Sequence, residues 1–357
     1  MKAWRLHAYG DHRYEDVPMP EVRPGWALVK VKVVQAAVVE AGHMEGMPHK
    51  KEPKITKMLA EGRPVTLGHE FCGEVVELGE GVTSLKVGDR VSTPSTFPCR
   101  TCADCLANKK CRSRIAMNVD LPGAFAEYVC MPDHGLVVIP DGPTDNEVAT
   151  MQPLLDCLHQ VRSAEIRLGE TAVVLGMGAM GLGCLQIARS AGASHLIAID
   201  TRPEALELAR LYGADVTIDA TKVDAVDEVK RLTDDGAHVV FEEAGGRSKD
   251  GLAGFTALNQ AMRMVAEGGR IIQAANLDGR LDLDPVFMRA RRMRYIFPGA
   301  GRPEDFLAVA HLVASGRVKV APQISHVVHG LEKLPEAMDI TVNKGKYRAT
   351  NPAQIEL

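Results

Sequence analysis

Four cysteines fall within thirteen residues, Cys99-Arg-Thr-Cys102-Ala-Asp-Cys105 and then Cys111. Thiolates are strong Zn²⁺ ligands, and two consecutive two-residue spacings with a fourth cysteine close by can close a tetrahedral shell that leaves no position for water. A closed shell of this kind is structural, so the spacing predicts a zinc lobe over about residues 95–115. A second pattern is Gly176-Met-Gly178-Ala-Met-Gly181, which follows the apolar run Ala172 to Leu175 and opens a helix expected over Leu182 to Ser190. The first two glycines allow a tight turn and close approach of backbone to a pyrophosphate. The third lets helix and strand pack closely, while the helix N-terminus offers unpaired N–H groups to phosphate. Nineteen residues beyond Gly181 lies Asp200, at the end of the next apolar run. A carboxylate there accepts hydrogen bonds from ribose hydroxyls and repels a 2′-phosphate, so NAD is expected over NADP. Arg202, two residues on, is the one nearby group that could pair with a 2′-phosphate.

A third segment, Thr66-Leu-Gly-His69-Glu70-Phe-Cys-Gly-Glu-Val-Val-Glu77, together with the cysteine lobe and the glycine motif, resembles the medium-chain zinc-containing alcohol and polyol dehydrogenases, sorbitol- and threonine-dehydrogenase-like. The resemblance covers nearly the whole chain. It implies an NAD(H)-dependent enzyme that interconverts a secondary alcohol or polyol carbon and its ketone. In such a member a catalytic zinc polarises the substrate oxygen as hydride leaves. By the same resemblance His69 is the surest ligand to that zinc and Glu70 the next.

The chain departs from the family where the remaining working parts belong. In Val31-Lys-Val-Val-Gln-Ala-Ala37-Val38-Val39-Glu40, the positions of the family's cysteine ligand, hydroxyl proton carrier and aspartate are Ala37, Val39 and Glu40. Ala37 cannot ligate and Val39 cannot relay a proton. The third ligand position aligns with Gln152, whose amide oxygen is a weak zinc ligand. A rebuilt site would need Glu40, Asp156, Cys157 or His43; without zinc, Asp156 or Glu40 is expected to handle the proton. Asp156 lies four residues after Gln152, where the family faces the nicotinamide; it is equally readable as a helix N-cap or a solvated acid. Arg348 aligns with a family arginine that touches both the cofactor pyrophosphate and the glutamate after the histidine, so a Glu70–Arg348 pair is expected. The family's third and fourth cysteines are usually separated by seven residues, against five here, which calls for a tighter loop. Metal-free C=C reduction or NAD-assisted elimination is the alternative reading, and a non-catalytic dinucleotide-binding protein the next.

These residues need two kinds of scaffold. Up to about residue 150 short β-type runs such as Ala27–Val34 and Phe125–Met131 are broken by Gly and Pro; thereafter apolar strands alternate with helices, at Thr171–Leu175, His195–Ile199, Val239–Phe241 and Arg270–Ile272. That rhythm predicts an α/β fold with a doubly wound parallel sheet over 151–297. The resemblance identifies the sheet as a Rossmann domain and 1–150 as a β-rich, GroES-like catalytic domain carrying the zinc lobe. Residues 298–357 are expected to return and complete that domain, with a helix over Pro303–Ser315 and β-type runs over Pro322–Val328 and Lys346–Ala349.

With 357 residues and a formal net charge of −4, no excess of positive charge points to nucleic acid or a membrane surface, and a small-molecule substrate is favoured. Between Gly42 and Pro64 lie His43, His49, Lys50, Lys51, Lys54, Lys57 and Arg63, which would suit an anionic substrate but more often form a solvated helix face. Eight cysteines are too few for a disulfide scaffold, and no apolar stretch is long enough for a signal peptide or a span, so a cytoplasmic location is expected. The resemblance adds a homodimer or homotetramer joined through sheet edges.

Overall fold

The computed structural model describes residues 1–46, 53–245, 254–275, 277 and 280–357. The chain forms two compact units, one of Met1–Gln152 with Pro303–Ser315 and Ile324–Leu357, the other of Pro153–Arg302 with Gly316–Gln323. The C-terminal return is therefore interrupted: Gly316–Gln323 packs with the second unit, anchored where Gln186 donates to the Lys319 carbonyl and accepts from its N–H.

The first unit is built around the strand Trp26–Gln35, whose Val29, Val31, Val33 and Val34 are buried. A β-branched run of this kind suits a strand covered on both faces. It pairs antiparallel with Phe71–Leu78, Tyr128–Pro132 and Gln354–Glu356. The sheet continues through Arg90–Ser92 and Val137–Val138 on one side and Val327–His329 on the other. The expected β run at Lys346–Ala349 is absent. Lys344–Tyr347 is a short helix closed by Arg348 at φ 55°, and the closing strand comes later, where Ile355 reaches the core. Lys-Gly-Lys-Tyr has neither the β-branched content nor the alternation that a buried strand needs.

In the second unit six parallel strands lie in the order Val216–Asp219, His195–Asp200, Thr171–Leu175, Ala237–Glu242, Val265–Gln273, Arg294–Ile296. Val173, Ile197, Val240 and Ile271 are fully buried, the near-continuous apolarity of parallel strands that lie beneath helices. Strand order reverses beside Thr171–Leu175, the switch point at which open α/β sheets bind ligands beyond their carboxyl ends. This is a Rossmann sheet, and the glycine motif sits at that end.

Candidate functional site

Each glycine of the motif has its own reason to lack a side chain. Gly176 turns at φ 97°, and a Cβ there would come within 2.8 Å of the Ala244 backbone. A Cβ on Gly181 would drive into the Gly176 carbonyl oxygen, so the third glycine permits the close packing of loop and helix. Gly178, the N-cap of helix Ala179–Ser190, has nothing within 4 Å of its would-be Cβ; its bareness leaves an approach open over the first turn of the helix. Asp200 ends the strand His195–Asp200 and ties this loop to the next: Oδ2 accepts from Met177 N–H at 2.6 Å, and Oδ1 from the N–H groups of Thr201 and Arg202 at 2.8 and 2.9 Å. A carboxylate has about four acceptor sites, so capacity remains for a ribose hydroxyl. Arg202 leans on the same carboxylate, Nε 3.5 Å from Oδ1. The cradle, the helix start and the carboxylate fit a dinucleotide.

The four cysteine sulfurs of the lobe all lie within 4.8 Å of one another. Cys99–Cys105, Cys102–Cys111 and Cys99–Cys111 are separated by 4.0, 3.8 and 3.7 Å. A tetrahedral shell with Zn–S bonds of about 2.3 Å has edges of about 3.8 Å, so the set fits Zn²⁺ after small side-chain adjustments. Backbone N–H groups of Thr101 and Cys102 hold the Cys99 thiol down to about 6, whereas Cys105, desolvated and crowded by its neighbours' sulfurs, is pushed up to about 12; a cation among them resolves that conflict. The short spacing to Cys111 is accommodated by a single helical turn, Ala103–Leu106, ended by Asn108 at φ 52°. Arg112 clamps the turn through both oxygens of Asp104.

Glu40 is buried and holds His69. Its Oε1 accepts from His69 Nδ1, Gly68 N–H and Asn118 Nδ2, each at 2.7 Å, and it is 1% exposed. The helix Val38–Met44 carries Glu40 inward. Asn118, in the left-handed region at φ 70°, brings its amide up from 78 positions further along the chain. With Nδ1 engaged, His69 has Nε2 on its other side, 3.8 Å from Glu70 Oε1.

The expected Glu70–Arg348 pair is not formed among the described residues. Glu70 Oε2 instead accepts from Gln35 Nε2, and Gln35 Oε1 accepts from Asn351 and Gln354. Arg348, at a left-handed turn, has an exposed side chain, while the buried Gln35 amide reaches the carboxylate and is itself held by Asn351 and Gln354. Burial pushes Glu70 up to about 7, against the opposing pull of His69 and Gln35. Asp156 lies on the helix Met151–Ala164 in the second unit, where Oδ1 accepts from Gly301 N–H at 2.6 Å and so fastens a loop.

The family's catalytic zinc does not fit the donors present. Ala37 puts a methyl where a ligand belongs, and Gln152 turns its amide nitrogen to Ser95 Oγ at 3.2 Å. Cys157 is buried in the second unit, donating to the Met180 carbonyl. Among the described residues the four lobe cysteines are the only group of three or more His, Cys, Asp or Glu placed to share a metal.

Of the basic segment, Lys54 pairs with Asp120, and Lys57 and Arg63 with Glu61, which is a balanced, solvated face. His49, Lys50 and Lys51 lie outside the described residues. No described helix is long and apolar enough to cross a membrane.

Sequence reasoning missed Asn118, Gln35, Asn351 and Gln354. It also missed the paired acids Glu242 and Glu243, which burial pushes up to about 7 and about 8. Glu243 accepts from the Cys184 thiol at 3.4 Å. None of these belongs to a spacing motif, although two adjacent glutamates ending an apolar strand are a signal of buried charge.

Residues 23–141 match the alcohol dehydrogenase GroES-like domain, and residues 179–315 the zinc-binding dehydrogenase domain. The chain is 30% identical over 344 residues to a probable D-xylulose reductase A of Neosartorya fischeri, covering 93% of this chain and 91% of the relative. It is 31% identical over 339 residues to an L-threonine 3-dehydrogenase of Bacillus velezensis, covering 93% and 92%. A solved structure described as a zinc-binding dehydrogenase from Sinorhizobium meliloti 1021, bound to NADP, superposes with a TM-score of 0.84 at 29% identity over 100% of this chain and 99% of that one. The chain belongs to the zinc-type medium-chain alcohol dehydrogenase family and is an oxidoreductase of the alcohol and polyol dehydrogenase type.

Proposed function

We propose that the protein uses NAD(H), in preference to NADP(H), to interconvert a small secondary alcohol or polyol and its ketone. The observation that carries this reading is Asp200, fixed by three backbone N–H groups beside the glycine cradle with acceptor capacity left over. Bound NAD supplies the hydride acceptor. Gly176 and Gly178 admit its pyrophosphate, the first turn of helix Ala179–Ser190 offers N–H groups to it, and Asp200 takes the adenosine ribose. The four lobe cysteines would hold a zinc that braces that lobe, with all four ligand positions taken by thiolates. Arg348, exposed and in the same unit as His69, is proposed to contact the pyrophosphate; it plays no part in holding Glu70.

The experiment is cofactor and substrate testing on the full chain: NAD and NADP titration by calorimetry, then nicotinamide absorbance with D-xylulose, xylitol and L-threonine, the chemistry that the relatives' names indicate. The expected result is tighter NAD binding and turnover with at least one of these or a related secondary alcohol. Tight NAD binding with no turnover of any alcohol or saturated ketone overturns the alcohol–ketone reading.

The donor set around His69 also favours a second reading, reduction of an activated C=C bond or NAD-assisted elimination, which needs no polarising metal; turnover of an α,β-unsaturated ketone without turnover of alcohols selects it. The proposal includes a homodimer or homotetramer, supported by the open sheet edge Arg294–Ile296 and the exposed Phe297 beside it. It also includes a cytoplasmic location, where the lobe thiols stay reduced.

A further inference from the structure

We propose that His69, held by Glu40, exchanges the substrate's hydroxyl proton directly, in place of the metal that the family uses there, so that each subunit carries one zinc and not two. This rests on the alcohol–ketone reading above. Charge is the first consideration. Zinc sites are held by thiolate, imidazole and carboxylate, and anionic ligands offset the ion's charge. Here Ala37 offers no lone pair and Gln152 a neutral amide, while Glu70 is engaged by Gln35 and Glu40 by three donors. A second zinc would find His69 Nε2 and, 3.8 Å from it, Glu70 Oε1, with no third His, Cys, Asp or Glu placed to share it among the described residues.

The same residues form a working acid–base pair. A carboxylate against Nδ1 fixes the proton there, orients the ring, leaves the Nε2 lone pair as the basic site and stabilises the imidazolium formed when that lone pair takes a proton. Glu40 is placed to do this. Its Oε1 is fixed by Gly68 N–H and Asn118 Nδ2 as well as by the ring, and its Oε2 is buried with no hydrogen bond among the described residues. Asn118 holds a left-handed backbone conformation to reach it, and Gly123 leaves room for the Asn118 oxygen, which a Cβ would strike. Val39 cannot relay a proton, whereas His69, backed by the Glu40 carboxylate, is equipped to take one.

In the oxidative direction the carbinol C–H bond breaks and its electron pair passes with the hydrogen to the oxidised nicotinamide. The O–H bond breaks, its proton goes to His69 Nε2, and C–O becomes C=O. In reduction the imidazolium returns the proton to the developing alkoxide. General acid–base catalysis of this kind contributes about 10²–10⁴-fold.

The first test needs no substrate: zinc per subunit of the full chain after incubation with zinc and gel filtration. One zinc is expected, falling to none in Cys102→Ser/Cys105→Ser; two zincs falling to one overturn the proposal. The second uses the best substrate found. His69→Asn is expected to keep one zinc and its thermal midpoint while kcat falls about 10²–10⁴-fold with KM little changed, and added imidazole is expected to restore part of the rate to His69→Ala. Glu40→Gln, at a positioning residue, is expected to lower kcat about tenfold or more without raising KM in proportion. Loss of zinc from His69→Asn, or full activity in it, sinks the idea. Failure of the alcohol–ketone reading shows separately, as wild-type protein with one zinc that turns over no alcohol or ketone; that result removes the substrate hydroxyl and the proposal with it.

Discussion

Glu242 ends the strand Ala237–Glu242 and is wholly buried; Oε1 accepts from Ala244 N–H at 3.0 Å, and Oε2 has no hydrogen-bond partner among the described residues. Desolvation pushes its carboxyl from 4.5 up to about 7. Below the unfolded-state value both states are protonated and the group does not affect stability differentially with pH. As pH rises from there the unfolded chain ionises while the folded chain stays neutral, so stability falls until the folded carboxyl also ionises near 7. A gap of about 2.5 units corresponds to about 3 kcal/mol lost between about pH 4.5 and 8. Glu242→Gln keeps the shape and an acceptor for Ala244 N–H but cannot ionise. At about pH 5 the variant is expected to melt only about 2–3 °C above wild type; at about pH 8 it melts higher by about 6–12 °C, from about 2–4 °C per kcal/mol in a unit of this size. The neighbouring Glu243, whose upward shift Glu242 reinforces, remains in both proteins and gives each a residual slope. Thermal melts by circular dichroism at half-unit pH intervals measure the separation. Parallel curves with a constant separation across that range would falsify the reasoning, since they would mean that Glu242 is solvated or paired.

Replacing Asp200 with Ala removes the acceptor of three N–H groups and of the proposed ribose contact; NAD affinity is expected to fall about 10–100-fold by calorimetry, with discrimination against NADP reduced. Gly181→Ala forces a methyl into the Gly176 carbonyl, and the displaced loop is expected to lose NAD binding by more than tenfold while the zinc content stays unchanged. Arg270 is 3% exposed, donates to the carbonyls of Ala164, Glu165 and His238, and pairs with both oxygens of Glu170. Arg270→Met strands those partners, and a loss of about 3–5 kcal/mol is expected, read as a thermal midpoint about 10 °C lower. A midpoint within about 2 °C of wild type would show that the network is dispensable.

How much of this could be read from the chain depended on whether the interaction was local. The cysteine lobe and the glycine cradle are loops whose ligating or bare atoms are set by spacings of a few residues, so residue types alone locate them. Asp200 is legible because strand and helix lengths fix where the second strand ends. The partner of Glu70 was not legible: the choice between Arg348 and Gln35 turns on one left-handed turn and on where the last strand begins. That strand, Gln354–Glu356, lies beyond the run which composition favoured. Glu40 could be aligned to its place, but its role as the support of His69 depends on Asn118 arriving from 78 positions away in a strained conformation, for which a linear pattern carries no signal.

The same geometry explains how Gly68-His69-Glu70 can stand in a chain whose other zinc ligands are replaced. Gly68 turns at φ 106°, and a Cβ there would come within 2.6 Å of Phe125 N, because its carbonyl and that of Leu67 accept from Ala124 and Phe125. His69 engages the buried carboxylate of Glu40, which unpaired would cost several kcal/mol. Glu70 takes Gln35 on its side chain and the Gln35 N–H on its carbonyl, the start of an amide chain that reaches Asn351, Gln354 and Asn146. Each residue of the motif thus has a packing or hydrogen-bonding role that owes nothing to a metal. With Ala37 and Gln152 at the other two ligand positions the ion's charge balance is missing, and none of those roles is disturbed. The motif is therefore evidence for the architecture of the first unit, and evidence for catalytic zinc only when the other two ligands accompany it.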